Sequence, residues 1–265
     1  MKDFLLNLSE KENELVKNAE IDLGDNFTNC CNFLSIFKSD VKQLDKETEV
    51  FQRFYPLMVN GLYLATLSVI RRHLVQANMM LRQSLESFVY VCYSLHNSNM
   101  KEYGKITNNQ FIELNKDIKQ LAYDWIDENY KSISDFIKEQ KREINENFAH
   151  ANVLIAETNL HKSDENNVSG LFFDSDSDLL LKGMLLAISN LSYHLINMLI
   201  EVNKSYNKIF FSRDISLNIS RYREEHKRLV SEITPEYSRI INNFNKSFNF
   251  HLFGKKSSRG KPREL

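Results

Sequence analysis

Residues 179–203 read LLLKGMLLAISNLSYHLINMLIEVN, and the reading of this run decides the fold. It is long enough to cross a bilayer, but Lys182, Asn190, His194 and Asn197 interrupt it. Ionisable and amide side chains are costly in hydrocarbon, so the run is expected to be a core helix of a helical bundle, with no membrane partner. Asp178 or Ser177 stands where a helix N-cap belongs.

Working outward, residues 57–97, LMVNGLYLATLSVIRRHLVQANMMLRQSLESFVYVCYSLHN, place Tyr63, Leu67, Ile70, Leu74, Leu81, Leu85, Phe88, Cys92 and Leu95 on one face at 100° per residue. That spacing predicts a second long core helix, with a break near Ala77-Asn78. Between Asn26 and Tyr55 the apolar positions again recur at three and four, and Pro56 is expected to end that helix or open the next. Residues 1–25 are expected to form a short peripheral amphipathic helix that stops near Gly24. After the turn-rich stretch SNMKEYGKITNN, Phe111–Tyr123 reads as a short helix and Trp125–Ala156 as a long one. Residues 157–178 lose the period and gain Asn, Ser and Asp, which predicts a loop.

Composition supports an all-helical fold. The chain has 7 Gly and 3 Pro in 265 residues, where average usage would give roughly 19 and 13. Folds rich in tight turns need more glycine than this, and no Gly-rich phosphate loop is present. With 42% hydrophobic residues the chain can bury a sizeable core. The fold class expected is an all-α, up-and-down helical bundle over 26–203, a helical C-terminal extension over 204–253 interrupted at Pro235, and a basic tail, 254–265.

Lys and Arg (34) nearly cancel Asp and Glu (35), so any argument for a polyanionic partner must be local. Cys30, Cys31 and Cys92 are odd in number and lack zinc-ligand spacing. With no secretory pattern at the N-terminus, a reduced, cytoplasmic setting is expected. The acidic run Asp174, Asp176, Asp178 resembles a calcium loop, but Leu179 and Leu185 stand where Gly and Glu are required. Helix capping is the better reading, and no metal or cofactor is expected.

Two constellations can carry chemistry. Arg82 and Glu86 lie i,i+4 on the shoulder of an apolar helix, and partial burial there would call for a partner from another helix. In KREINENFAHAN, Glu143, Asn147 and His150 project within roughly 60° of each other beside the apolar face, while Arg142 lies about 80° from His150 on the solvent side. Of the remaining histidines, His73 and His226 lie among charges and are expected in solvent. His96 and His194 lie on apolar faces and are expected as hydrogen-bonded core residues.

A long helix carrying ANMMLRQSLESFVYVCYSL, a later helix ending in FAHAN and a closing hydrophobic helix resemble the HEPN superfamily of helical bundles, including its abortive-infection and toxin members. The resemblance covers roughly residues 55–203. It implies a dimeric, metal-independent ribonuclease of a bacterial defence or toxin system, or a degenerate relative. On that resemblance His150 is the general acid or base for attack of a ribose 2′-hydroxyl on its phosphate. Arg142 or Arg82 then stabilises the phosphorane, and Glu86 and Asn147 orient those groups. Arg142 and His150 enclose seven residues, where catalytic members enclose four to six. The basic residues Lys255, Lys256, Arg259, Lys261 and Arg263 would serve as a non-specific RNA-binding arm.

The alternative is a non-catalytic interaction or regulatory module in which Arg82, Glu86 and His150 form a structural network, with a protein partner engaged through the C-terminal extension. A third reading is a small-ligand sensor with its pocket between helices.

Overall fold

In the computed structural model, which describes residues 2–44, 48–106, 112–147, 160–164, 167–170, 172–173 and 177–253, the chain is an all-α helical bundle. In chain order the helices are α1 (Lys2–Ser39), α2 (Glu49–Ile70), α3 (Leu74–His96), α4 (Met100–Tyr103), α5 (Ile118–Asn129), α6 (Lys131–Asn147), α7 (Asp178–Tyr206) and α8 (Ile215–Phe253). Three short antiparallel pairs decorate them: β1 (Val41–Leu44) with β6 (Ile209–Phe211), β2 (Gly104–Ile106) with β3 (Ile112–Leu114), and β4 (Leu160–Asp164) with β5 (Asn167–Gly170).

The decisive run is helical as expected. Ser177 caps α7 by accepting a hydrogen bond from the Leu180 N–H at 3.4 Å. Leu181, Leu185, Ile188, Leu195, Ile196 and Leu199 are buried along it, where α1, α2, α3 and α8 pack around it. Asn207, in the left-handed region (φ 50°), ends the helix, as an Asn can at low cost. The buried Asn203 side chain then holds the β6 backbone, donating to the Ile209 carbonyl and accepting from the N–H groups of Lys208 and Ile209, each at 2.9 Å.

Between α2 and α3 the break falls at Arg71–His73, not at Ala77-Asn78. Arg72 takes a positive φ of 64°, which stops the helix, whereas Ala77 and Asn78 are buried within α3 and the Asn78 amide donates to the Leu74 carbonyl. The three-residue turn makes α2 and α3 antiparallel neighbours. Gly61 lets them approach closely, since a Cβ there would meet Ser84 Cβ at 3.0 Å and the Met80 carbonyl at 3.1 Å. Tyr63, expected on the buried stripe, is exposed, and the buried stripe of α2 runs instead through Met58, Leu62, Ala65, Val69 and Ile70.

Other boundaries move. The expected 26–55 helix stops at Ser39, and α2 starts at Glu49 with Pro56 inside it. Pro56 and Gln52 are both exposed, so water can reach the carbonyl that the missing N–H leaves. At Gly24 (φ 54°) α1 kinks and continues. Ala19 and Leu23 before the kink are buried, and Glu12 pairs with His73 at 3.0 Å and Arg71 at 3.6 Å. Phe111–Tyr123 is not one helix, because β3 precedes α5. The expected Trp125–Ala156 helix breaks at Tyr130 (φ −140°, ψ 60°). Residues 157–178, expected as loop, contain the β4–β5 hairpin, and α8 runs through the exposed Pro235.

The core is built from α1, α2, α3 and α7, with α5 and α6 added on the α3 side and α8 on the α1–α7 side. By length and composition α7 alone among the described residues could cross a membrane, and half of its apolar window is buried in the bundle.

Candidate functional site: the groove of α3, α5 and α6

The shoulder of α3 carries Arg82 and Glu86, whose Nε and Oε1 lie 3.5 Å apart, each side chain about a third exposed (34% and 30%). The partner expected from another helix is Lys141 of α6. Its Nζ lies 3.0 Å from Glu86 Oε1, donates to the Tyr123 hydroxyl of α5 at 2.7 Å and sits 4.8 Å from the centre of that ring. One ammonium therefore joins three helices. Burial acts to raise the Glu86 carboxyl, but Lys141, with Lys119 and Arg82 further out, outweighs it and holds the group below the usual carboxylate range. Burial, then the Glu86 charge, pushes the Tyr123 phenol up.

The sequence arranges this through helical spacing. Ile133, Ile137 and Ile144 bury one stripe of α6, which leaves Lys138 and Lys141, three apart, on the flank toward α5. On α5, Ala122, Trp125 and Ile126 go inward, and Lys119 and Tyr123, with Lys116 of the turn before the helix, line the opposite wall. Between these walls lie two adjoining grooves of about 490 and 390 Å³, bounded by Lys116, Lys119, Tyr123, Lys138, Lys141 and Arg142. The carboxylates beside them are Asp124, Asp127 and Glu146. Asp127 accepts from Lys138, Lys131 and Ser134 at 2.7–2.9 Å, which holds its carboxyl well below the usual range. Lys116 and Lys119 form no ion pair among the described residues.

Arg142 is on the solvent side, as the projection predicts. It is 61% exposed and bound to its own helix through Glu139 at 2.6 Å and Glu146 at 4.0 Å. Glu143 is exposed and accepts from Gln140. Asn145 Oδ1, on the groove wall, is buried without a hydrogen-bond partner. Asn147 ends α6. His150 and the tail residues Lys255, Lys256, Arg259, Lys261 and Arg263 lie outside the described residues, as do Asp174 and Asp176. The structure therefore brings together Arg82 and Glu86, with Lys141 linking them to the groove, and leaves Arg142 at the groove's edge.

Sequence reading missed Lys141, Tyr123, Lys119 and Lys138. The available signal was the pair of i,i+3 lysine repeats, 116/119 and 138/141, on neighbouring amphipathic segments. Two histidine expectations are corrected. His226 is buried (5% exposed), because α8 turns that face onto Phe33 of α1. His96 is exposed, stacked on Trp125 and 3.3 Å from the Tyr206 hydroxyl. No group of three or more His, Cys, Asp or Glu among the described residues could hold a metal ion.

Comparison with protein-family models, with curated proteins and with solved structures finds no match.

Proposed function

We propose that the chain is a HEPN-like helical protein that acts on RNA, as a dimeric, metal-independent endoribonuclease of a bacterial defence or toxin system or as a degenerate relative that retains the RNA-facing surface. The observation that carries this reading is the α3/α5/α6 groove: Lys116 and Lys119, with no ion pair among the described residues, on one wall, Lys138 and Lys141 on the other, and the partly exposed Arg82–Glu86 pair joined to the groove through Lys141. Lysines spaced along a groove can follow a phosphate backbone. A guanidinium fixed by a neighbouring carboxylate is oriented to meet developing charge. In the sequence, His150, the residue that the resemblance assigns to proton transfer, follows three positions after Asn147, the last residue of α6.

The alternative, a non-catalytic interaction module, draws on a different observation. Glu86 is already ion-paired with Arg82 of its own helix and with Lys141 of α6, as a network that fixes helix register requires.

The test is cleavage of total cellular RNA by the purified full chain in EDTA, with His150→Ala and Arg142→Ala alongside. Cleavage by the wild type that is lost in His150→Ala supports the nuclease. Absence of both cleavage and RNA binding by the folded wild type overturns the RNA reading and leaves the interaction module.

A further inference from the structure

On the far side of the bundle, α8 crosses α7 and leaves a second groove of about 490 Å³ between them. Its apolar wall is Leu186, Ala187 and Val230, and its polar residues include Asn190, Arg223 and His226. Lys227 stands at the same groove, but its charge is taken by Glu224 at 2.6 Å.

Arg223 is different. Its Nη1 donates to Asn190 Oδ1 at 2.8 Å, and its guanidinium lies 4.4 Å from the centre of the Tyr193 ring. Neither partner carries a negative charge, and no carboxylate among the described residues pairs with Arg223. One turn on, Arg228 shows the usual outcome, held by Asp25, Glu225 and Glu232. A half-buried cation with no counter-ion is a costly arrangement, and an anion entering the groove relieves it.

His226 supplies an independent observation. It lines the groove, is 5% exposed, and its Nδ1 has no hydrogen-bond partner. Buried polar atoms are rarely left unsatisfied. Burial, then the nearby Arg223 charge and His194, keep the ring neutral, pushed down to about 4. Neutral, it adds no second positive charge to the groove, so a single anionic head suffices.

We propose that the α7/α8 groove binds a small monocarboxylate with an apolar body, its carboxylate on Arg223 and its body along Leu186, Ala187 and Val230. The planar guanidinium matches a carboxylate, and a concave, mostly apolar wall with a few convergent polar groups is the usual form of a small-molecule site. The site is separate from the α3/α5/α6 groove and does not depend on the RNA reading.

The experiment is calorimetric titration of the full chain with octanoate, with 1-octanol as the uncharged counterpart. Two folded variants, checked by circular dichroism, accompany the wild type: Arg223→Gln, which removes the charge, and Ala187→Trp, which fills the groove from an exposed position and keeps it. Octanoate binding weakened about tenfold or more in Arg223→Gln, abolished in Ala187→Trp and weaker for octanol is the expected result. No octanoate binding to the wild type, equal affinity for octanol, or unchanged octanoate binding in either variant overturns the proposal.

Discussion

The two grooves of this bundle use the same residue types and put them to different use. In the α3/α5/α6 groove the cations are many, long and mostly at the surface, and carboxylates such as Asp127 and Glu86 are shared among them. Such pairs are individually weak and screened by salt. That groove is suited to a polyanion that exchanges one contact for another. In the α7/α8 groove a single guanidinium lacks a carboxylate and lies beside a buried neutral imidazole and an apolar wall. A charge set against a mostly apolar wall interacts more strongly with an incoming counter-ion. What separates the grooves is burial and pairing, not composition.

Four changes sharpen or break this contrast. The largest expected effect is in the core behind His226 of the α7/α8 groove, where Phe33 is fully buried and packs edge-on against Tyr193, Tyr222 and His226. Phe33→Ala should cost about 3–5 kcal/mol in urea unfolding followed by Trp125 fluorescence; a loss below about 1 kcal/mol would show that this ring cluster is not packed as described. In the other groove, Lys141→Met removes the joint between α3, α5 and α6 yet should cost only about 1 kcal/mol, because the partners are partly exposed. Half-molar salt should shrink that difference, and a salt-independent loss would contradict the description of this groove as surface-screened.

Acid should affect the two grooves in different windows. His226 has its folded pKa lowered from 6.5 to about 4, so the unfolded chain takes up the proton first. Its contribution to stability is complete above pH 6.5 and declines as pH falls toward about 4. His194, also lowered, by burial first and then by Arg223, acts with the same sign. Glu86, lowered by Lys141 against burial, loses its contribution only below the usual carboxylate range. Stability measured by unfolding at a series of pH values should therefore decline as pH falls from 6.5 to 4, with the slope reduced in His226→Phe and kept in Glu86→Gln. The reverse pattern would exchange the roles of the two sites. The smallest effect belongs to Arg142→Ala, within about 0.5 kcal/mol on thermal melting, since its ion-pair partners among the described residues are on its own exposed helix face.

The core was legible from the sequence because burial imposes a period. Leu81, Leu85, Phe88, Cys92 and Leu95 of α3 and the apolar run of α7 are buried where the spacing puts them. The breaks were less legible. Arg72 carries the positive φ that separates α2 from α3 with no Gly or Pro to announce it, and Pro56, which does announce a break, is accommodated on an exposed face. Of the candidate site, the Arg82–Glu86 pair followed from i,i+4 spacing, as did the need for a partner. That the partner is Lys141, about 55 residues away, depends on how α6 lies against α3. His226 was misread for a similar reason: its chain neighbours Glu224, Glu225, Lys227 and Arg228 are charged, but helical geometry turns them away from Phe33 while the ring goes in.

Contact of RNA with the α3/α5/α6 groove, as proposed, can be read from binding of a labelled single-stranded RNA to the full chain by fluorescence anisotropy across a salt series. The wild type is set against the Lys116→Gln/Lys119→Gln double variant, which removes the two lysines without an ion pair among the described residues and leaves the tail intact. If RNA lies in this groove, the variant binds more weakly and its salt slope is reduced by about one to one and a half, the share of two phosphate contacts on a single strand. Equal affinity and equal slope for the two proteins would contradict it.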